Sequence, residues 1–279
     1  MQLRRLAEWM DRNPIPTEFP LLHRADLDAL VEADTLNVPA LIAFFKQDPF
    51  LKLAFEAPLG VYEKYLSQEH HGRVLTQFEI QSANFCFDSR YGFVRKPLMR
   101  MVVGTHDLGK PLAALKEGID AQHQYTEPLL RALLQHLAYT PAEIDFVCGM
   151  ACSDPVGYYM KGGATLAGWR QALRELEFSA SEIGKLQHPI LTSPEAAALL
   201  AEKHAPVALA EITQKARQAG MSPKNYFELL LLYYVSDAAD YPGVRRFLFI
   251  QDLHSGRLDF KKDVYLYGLL REQLETLGL

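Results

Sequence analysis

The chain has 279 residues, 49% hydrophobic and 23% charged, with 29 Lys and Arg against 34 Asp and Glu. That balance is ordinary for a globular protein and excludes disorder, collagen and coiled coil, while the net charge of −5 argues against a chain whose main work is gripping nucleic-acid backbone. Three cysteines are too few, and odd in number, for a disulfide framework and point to a reducing compartment.

Helical periodicity dominates, and no alternating strand pattern or Asn-Gly hairpin interrupts it, so the expected fold class is all-α. The start, MQLRRLAEWMDRNPIP, carries basic residues but no apolar stretch of the kind a signal peptide needs. Short helices are predicted over LRRLAEWM, ADLDALVEA and VPALIAFFKQ, with Pro39 suited to a first turn, followed by a stretch ending in VYEKYLSQ. A longer helix is predicted from Ser67 to Asp88, and SRYGFVRKP reads as a loop. LMRMVVGTHDLGK opens a buried helix. Asp120 is the expected cap of the next one, whose apolar stripe is Leu129, Leu130, Leu133 and Leu134. Thr140 and Glu143 form a capping box, with Pro141 in the first turn, and SDPVGYYMKGGA is expected to be a glycine-rich loop.

Helices are also predicted at about 165–176, 181–186, 193–203 and 206–219. SPKNYFELLLLYYVSDAAD reads as one long apolar helix at the centre of the fold, yet its apolar run from Leu229 to Val235 is far short of the ~20 residues that span a bilayer. The expectation is a soluble cytoplasmic protein, a single all-α domain over residues 1–279 with ten or more helices.

Chemistry concentrates at a few positions. Val102-Val103-Gly104-Thr105-His106-Asp107 places an imidazole beside a carboxylate at the end of an apolar run, a natural half-site for a divalent cation. Upstream, Glu69-His70-His71-Gly72-Arg73 places histidines on a helix. One residue turns a helical side chain by about 100°, so only one of His70 and His71 can face the same site. Downstream, Asp237 stands in the most apolar helix, where a carboxylate needs a cation or hydrogen-bond donors; Asp240 is the alternative. Cys148 and Cys152 have no matching pair elsewhere and read as small core hydrophobes rather than zinc ligands. His136, His188, His204 and His254 receive no role.

The order His70, His106-Asp107-Leu108-Gly109-Lys110, His123 and Asp237 resembles the HD superfamily of metal-dependent phosphohydrolases, in the form found in tRNA nucleotidyltransferases and small nucleotide phosphatases. Arg73 and Val74 follow His70 as in the family's H-x-x-R-V. The resemblance covers about residues 65–240. It departs from the family pattern in the long gap between Asp107 and Asp237, so that residues 150–220 look like an insertion, and in residues 150–163, where binuclear members often carry another histidine.

The resemblance implies an HD helical bundle with added N-terminal, inserted and C-terminal helices. It implies that His70, His106, Asp107 and Asp237 hold one divalent ion, with Mn, Fe, Co, Ni or Zn better suited to mixed nitrogen and oxygen ligands than Mg. Asp107 would then hold or deprotonate the attacking water, Arg73 and Lys110 would neutralise phosphoryl charge, and His123 would hydrogen-bond the phosphate or leaving group. Tyr158 and Lys161 are candidate contacts to a nucleotide base and phosphate. The implied activity is hydrolysis of a phosphate monoester or cyclic diester of a nucleotide or other small molecule, with no membrane or extended nucleic-acid partner. Two rivals stand beside it. One is a catalytically silent HD scaffold serving as a nucleotide-binding or protein-interaction module. The other is an HD-type di-iron oxygenase, which needs about two more histidine ligands than the sequence offers.

Overall fold

The computed structural model describes residues 2–59, 66–84, 87, 91–118, 121–160, 194–238, 270–272 and 274–275. Of the interpretable residues 73% are helical, and none lies in a strand or sheet, so the fold is all-α as periodicity requires. The helices are α1 (Gln2–Met10), α2 (Arg24–Val31), α3 (Val38–Phe45), α4 (Pro49–Glu56), α5 (Ser67–Asn84), α6 (Lys96–Thr105), α7 (Lys110–Lys116), α8 (Gln122–His136), α9 (Pro141–Ala151), α10 (Pro155–Met160), α11 (Pro194–Gln218) and α12 (Pro223–Ala238). No helix among the described residues is long and apolar enough to cross a membrane.

The chain divides into two compact units. One comprises Met1–Ser153 with Ser236–Arg246, the other Asp154–Val235 with Phe247–Leu279. The first contains α1 to α9 and the last residues of α12; the helices predicted at 165–176 and 181–186 lie outside the described residues.

Helix starts follow local side-chain chemistry. Asn37 accepts a hydrogen bond from the Ala40 N–H at 3.1 Å and opens α3, with Pro39 in its first turn. Asp48 accepts from the Phe50 and Leu51 N–H groups at 2.9 Å and opens α4. Thr140 and Glu143 form the predicted capping box of α9. Two expectations are corrected. The SDPVGYYMKGGA tract is not loop throughout, because Asp154 accepts from the Gly157 N–H at 2.7 Å and Pro155 pre-sets the helical φ of a short helix, α10. The expected gap between the helices predicted at 193–203 and 206–219 is absent, and α11 runs through it. Pro206 is exposed, and the one ladder hydrogen bond it cannot donate is a local loss within a helix of 25 residues. The residue before α8 is Ala121, which makes no side-chain cap; Asp120 lies outside the described residues.

The first unit is filled by apolar faces. Leu129, Leu130, Leu133 and Leu134 of α8 are fully buried, as are Phe55 of α4 and Val74, Leu75 and Phe78 of α5. One buried cation ties together the two helices that carry the histidines. Arg100 of α6, 2% exposed, grips the Glu79 carboxylate of α5 through Nε and Nη2, each at 2.8 Å. Its Nη1 donates to the carbonyls of Val31 and Ala33 at 2.6 Å, and Lys96 adds a bond to Glu79 at 3.0 Å.

Burial alone would raise the Glu79 carboxyl, but Arg100 and Lys96 hold it below its ordinary 4.5. The unfolded chain therefore binds this proton first, and the stability that Glu79 contributes is whole above about pH 4.5 and lost as the pH falls through the folded value. Denaturant titrations at pH 6 and at pH 3.5 should show a larger loss of stability for the wild type than for Glu79→Gln, and equal losses would refute this account.

Candidate metal centre

Three segments far apart in sequence, all in the first unit, deliver the site: His70 in α5, the turn after α6, and the C-terminal turn of α12. His70 and His106 are each 2% exposed and Asp107 3%. The Asp237 side chain is 22% exposed, which leaves one side of the group open to solvent, although its Oδ1 is itself buried.

His106 sits at the C-terminus of α6, where its Nδ1 is 2.8 Å from the Val103 carbonyl. A carbonyl only accepts, so Nδ1 carries the proton and Nε2 presents a lone pair inward. That lone pair meets His70 Nε2 at 3.2 Å. Asp237 Oδ1 lies 3.3 Å from His70 Nε2 and 3.6 Å from His106 Nε2. An ion about 2.1 Å from each donor sets neighbouring donors about 3.0 Å apart at octahedral angles and about 3.4 Å at tetrahedral ones. The observed spacings are of that size. His70, His106 and Asp237 form a group able to hold a metal ion, their ligand atoms all within 4.8 Å of one another. Among the described residues no well-aligned hydrogen-bond donor reaches the buried Asp237 Oδ1; the imidazoles at 3.3 and 3.6 Å offset part of its desolvation, and a cation at the same point would offset it more fully.

Asp107 touches the same nitrogens without belonging to that mutual group. Its Oδ2 is 3.3 Å from His70 Nε2 and 3.7 Å from His106 Nε2, and it is paired with Lys110 Nζ at 3.0 Å. Burial would raise the Asp107 carboxyl, but His106, Lys110 and His70 hold it well below the usual carboxylate range. Asp237 behaves alike: burial opposes, His106 and His70 prevail, and its carboxyl is held low. Both carboxylates are therefore charged near neutrality, the state in which they ligate cations.

The choice between the two adjacent histidines is settled by packing. His70 enters the cluster, while His71 turns away against Phe55, ring centroids 5.1 Å apart, and donates from Nδ1 to the Ser67 carbonyl at 2.8 Å. Complete burial, with repulsion from His106 and His70, pushes His71 down to about 3, so it stays neutral and leaves a fully buried Nε2 with no hydrogen-bond partner among the described residues.

The remaining predicted residues are placed as follows. His123 is half-buried in the first turn of α8. Arg73 lines a groove of about 870 Å³ that also involves Val38, Ile42, Lys46, Glu69 and Gly72. Tyr158 belongs to α10 in the second unit, and its side chain, like Lys161 and Asp240, lies outside the described residues. Cys148 is buried in the core, as expected of a small apolar side chain.

The contact that seats the His-Asp turn leaves no signal in the local sequence. Gly109 packs directly on α8: a Cβ there would stand 2.3 Å from the Thr126 nitrogen and 2.7 Å from the Tyr125 carbonyl carbon. The colliding atoms are backbone, which cannot rotate aside. Gly109→Ala should therefore destabilise the protein by about 3 kcal/mol or more, at the upper end of overpacking costs. A thermal midpoint equal to that of the wild type would show that the turn has slack.

No family model matches the chain, nor does any curated protein or solved structure.

Proposed function

We propose that the chain is a metal-dependent phosphohydrolase of the HD type, acting on a phosphate monoester or cyclic diester of a nucleotide or other small molecule. The reading rests on one observation above the others: two inward-facing imidazole nitrogens and a buried carboxylate oxygen with no well-aligned donor among the described residues converge at ligand spacing. Their order in the chain, with the His-Asp-x-Gly-Lys tract between them, agrees with the resemblance. Mixed nitrogen and oxygen donors favour Mn, Fe, Co, Ni or Zn over Mg.

When bound, such an ion supplies Lewis acidity toward a phosphoryl oxygen and activation of water near neutral pH. The chain's own residues do the rest. Val103 fixes the tautomer of His106 through its carbonyl, so the imidazole offers Nε2. Asp107, charged and anchored by Lys110 at 3.0 Å, stands beside both histidines as an acceptor for a proton of the attacking water. The Lys110 ammonium, 14% exposed, places positive charge where a phosphoryl group gathers negative charge. The Asp237 side chain, 22% exposed, is where solvent reaches the group.

The test is a screen of purified protein, loaded in turn with Mn²⁺, Co²⁺, Ni²⁺, Zn²⁺ and Fe²⁺, against p-nitrophenyl phosphate, bis-p-nitrophenyl phosphate and a 2′,3′-cyclic nucleotide. Turnover that a chelator abolishes and a divalent ion restores is expected. Stoichiometric metal uptake with no turnover on any ester would overturn the reading and favour a silent binding module.

A further inference from the structure

We propose that Thr126 is a positioning residue for the metal centre, holding through its hydroxyl the turn that presents Asp107 and Lys110; this rests on the metal-centre reading above. The turn from His106 to Gly109 is fastened at one end by the His106 Nδ1–H bond to Val103. At the other end stands Gly109, the residue before α7, which has no side chain with which to cap that helix. Its own N–H instead donates to Thr126 Oγ1 at 3.0 Å, across an interface so close that no Cβ fits.

Thr126 is fully buried, so no water can take its place as the acceptor. Tyr125, the preceding residue, closes the opposite end of the same helix pair by donating from its hydroxyl to Glu117 at 2.8 Å. α7 is thus held to α8 near both of its ends, and the Gly109–Thr126 bond is the one next to the chemistry. Lys110 follows Gly109 directly, and the Lys110 N–H donates to the Asp107 carbonyl at 3.0 Å. The peptide that Thr126 fixes therefore sets the position of both members of the Asp107–Lys110 ion pair.

Valine has the shape of threonine without the hydroxyl, and serine has the hydroxyl without the methyl. Thr126→Val should weaken Zn²⁺ or Mn²⁺ binding, measured by chelator competition, by about 10-fold, the lower end of the range for losing an outer partner of a ligand, because Thr126 reaches the ligand His106 only through the turn that ends at Gly109. Gly109 amide exchange, followed by NMR, should accelerate in the same variant. Thr126→Ser should restore both. Should the valine variant fail to fold, Thr126→Ala gives the same two readings without an added methyl group. Unchanged metal affinity in a folded Thr126→Val or Thr126→Ala protein overturns the inference, as does a serine variant as weak as the valine one. A wild type that takes up no divalent ion sinks the metal centre itself, a result distinguishable from either.

Discussion

His106→Ala is expected to lower the affinity for Zn²⁺ or Mn²⁺ by more than about 100-fold, because losing even an outer partner of a ligand costs 10- to 100-fold and this removes a donor atom itself. Asp237→Asn should do nearly as much, since an amide oxygen keeps the shape of the carboxylate but not its charge. The ion's contribution to stability gives a readout that needs no substrate. Metal at 100 times its dissociation constant stabilises the folded state by about 2.7 kcal/mol, and that rise in thermal midpoint should appear in the wild type and vanish in both variants.

Uptake should also depend on pH. Without an ion, the 3.2 Å contact is a hydrogen bond between the His70 and His106 rings; a neutral ring that ligates through Nε2 keeps its one proton on Nδ1, and any proton added in acid competes with the ion for the donor atom. Affinity should therefore fall steadily on acidification. Wild-type binding by either variant, or binding indifferent to pH, would refute the coordination scheme.

The second large effect concerns the frame. Arg100→Met removes a guanidinium that satisfies the Glu79 carboxylate and two backbone carbonyls at once. Methionine fills much of the volume but donates nothing, leaving a part-buried carboxylate with Lys96 as its remaining cation here and the Val31 and Ala33 carbonyls without this donor. Breaking a buried pair from one side costs about 3–5 kcal/mol. That is a large share of the roughly 5–15 kcal/mol that holds a domain folded, so urea unfolding should shift far toward lower concentration. Arg100→Lys should fall between, because a single ammonium cannot span the carboxylate and both carbonyls. Adding Glu79→Gln to Arg100→Met should recover part of the loss, since the stranded charge is gone, and strict additivity would refute the coupling. The effect bears on function because α5 and α6 carry His70 and His106.

Much of the architecture is written in short stretches of chain. Thr140 and Glu143 announce the start of α9 because both partners of the capping box lie within one turn. The leucines of α8 announce their buried face because helical spacing alone puts them on one stripe. Gly157 was less transparent: it suggested flexibility, whereas the Asp154 side chain and Pro155 start a helix there. The gap between the helices predicted at 193–203 and 206–219 is likewise closed, because one missing N–H donor is a local loss in a helix of 25 residues.

The site divides along the same line. Residue types and their order marked His106, Asp107 and Asp237 as chemistry-bearing, because an acid in an apolar helix and a paired imidazole and carboxylate are costly without a purpose. Which of His70 and His71 turns inward depended on how α5 is rotated against α4 and α6. Phe55 and the Ser67 carbonyl took one imidazole, and Asp237 with His106 received the other. Arg73, two residues beyond that pair, went to a groove beside α3. The need for Gly109 was likewise invisible, since its reason, the Thr126 backbone, lies on another helix. Hydrophobic period and capping act over a few residues and are legible in the chain itself. The meeting of donor atoms at about 3 Å was decided by packing, because a rotation of a few degrees in any one helix would move its side chain out of ligand range.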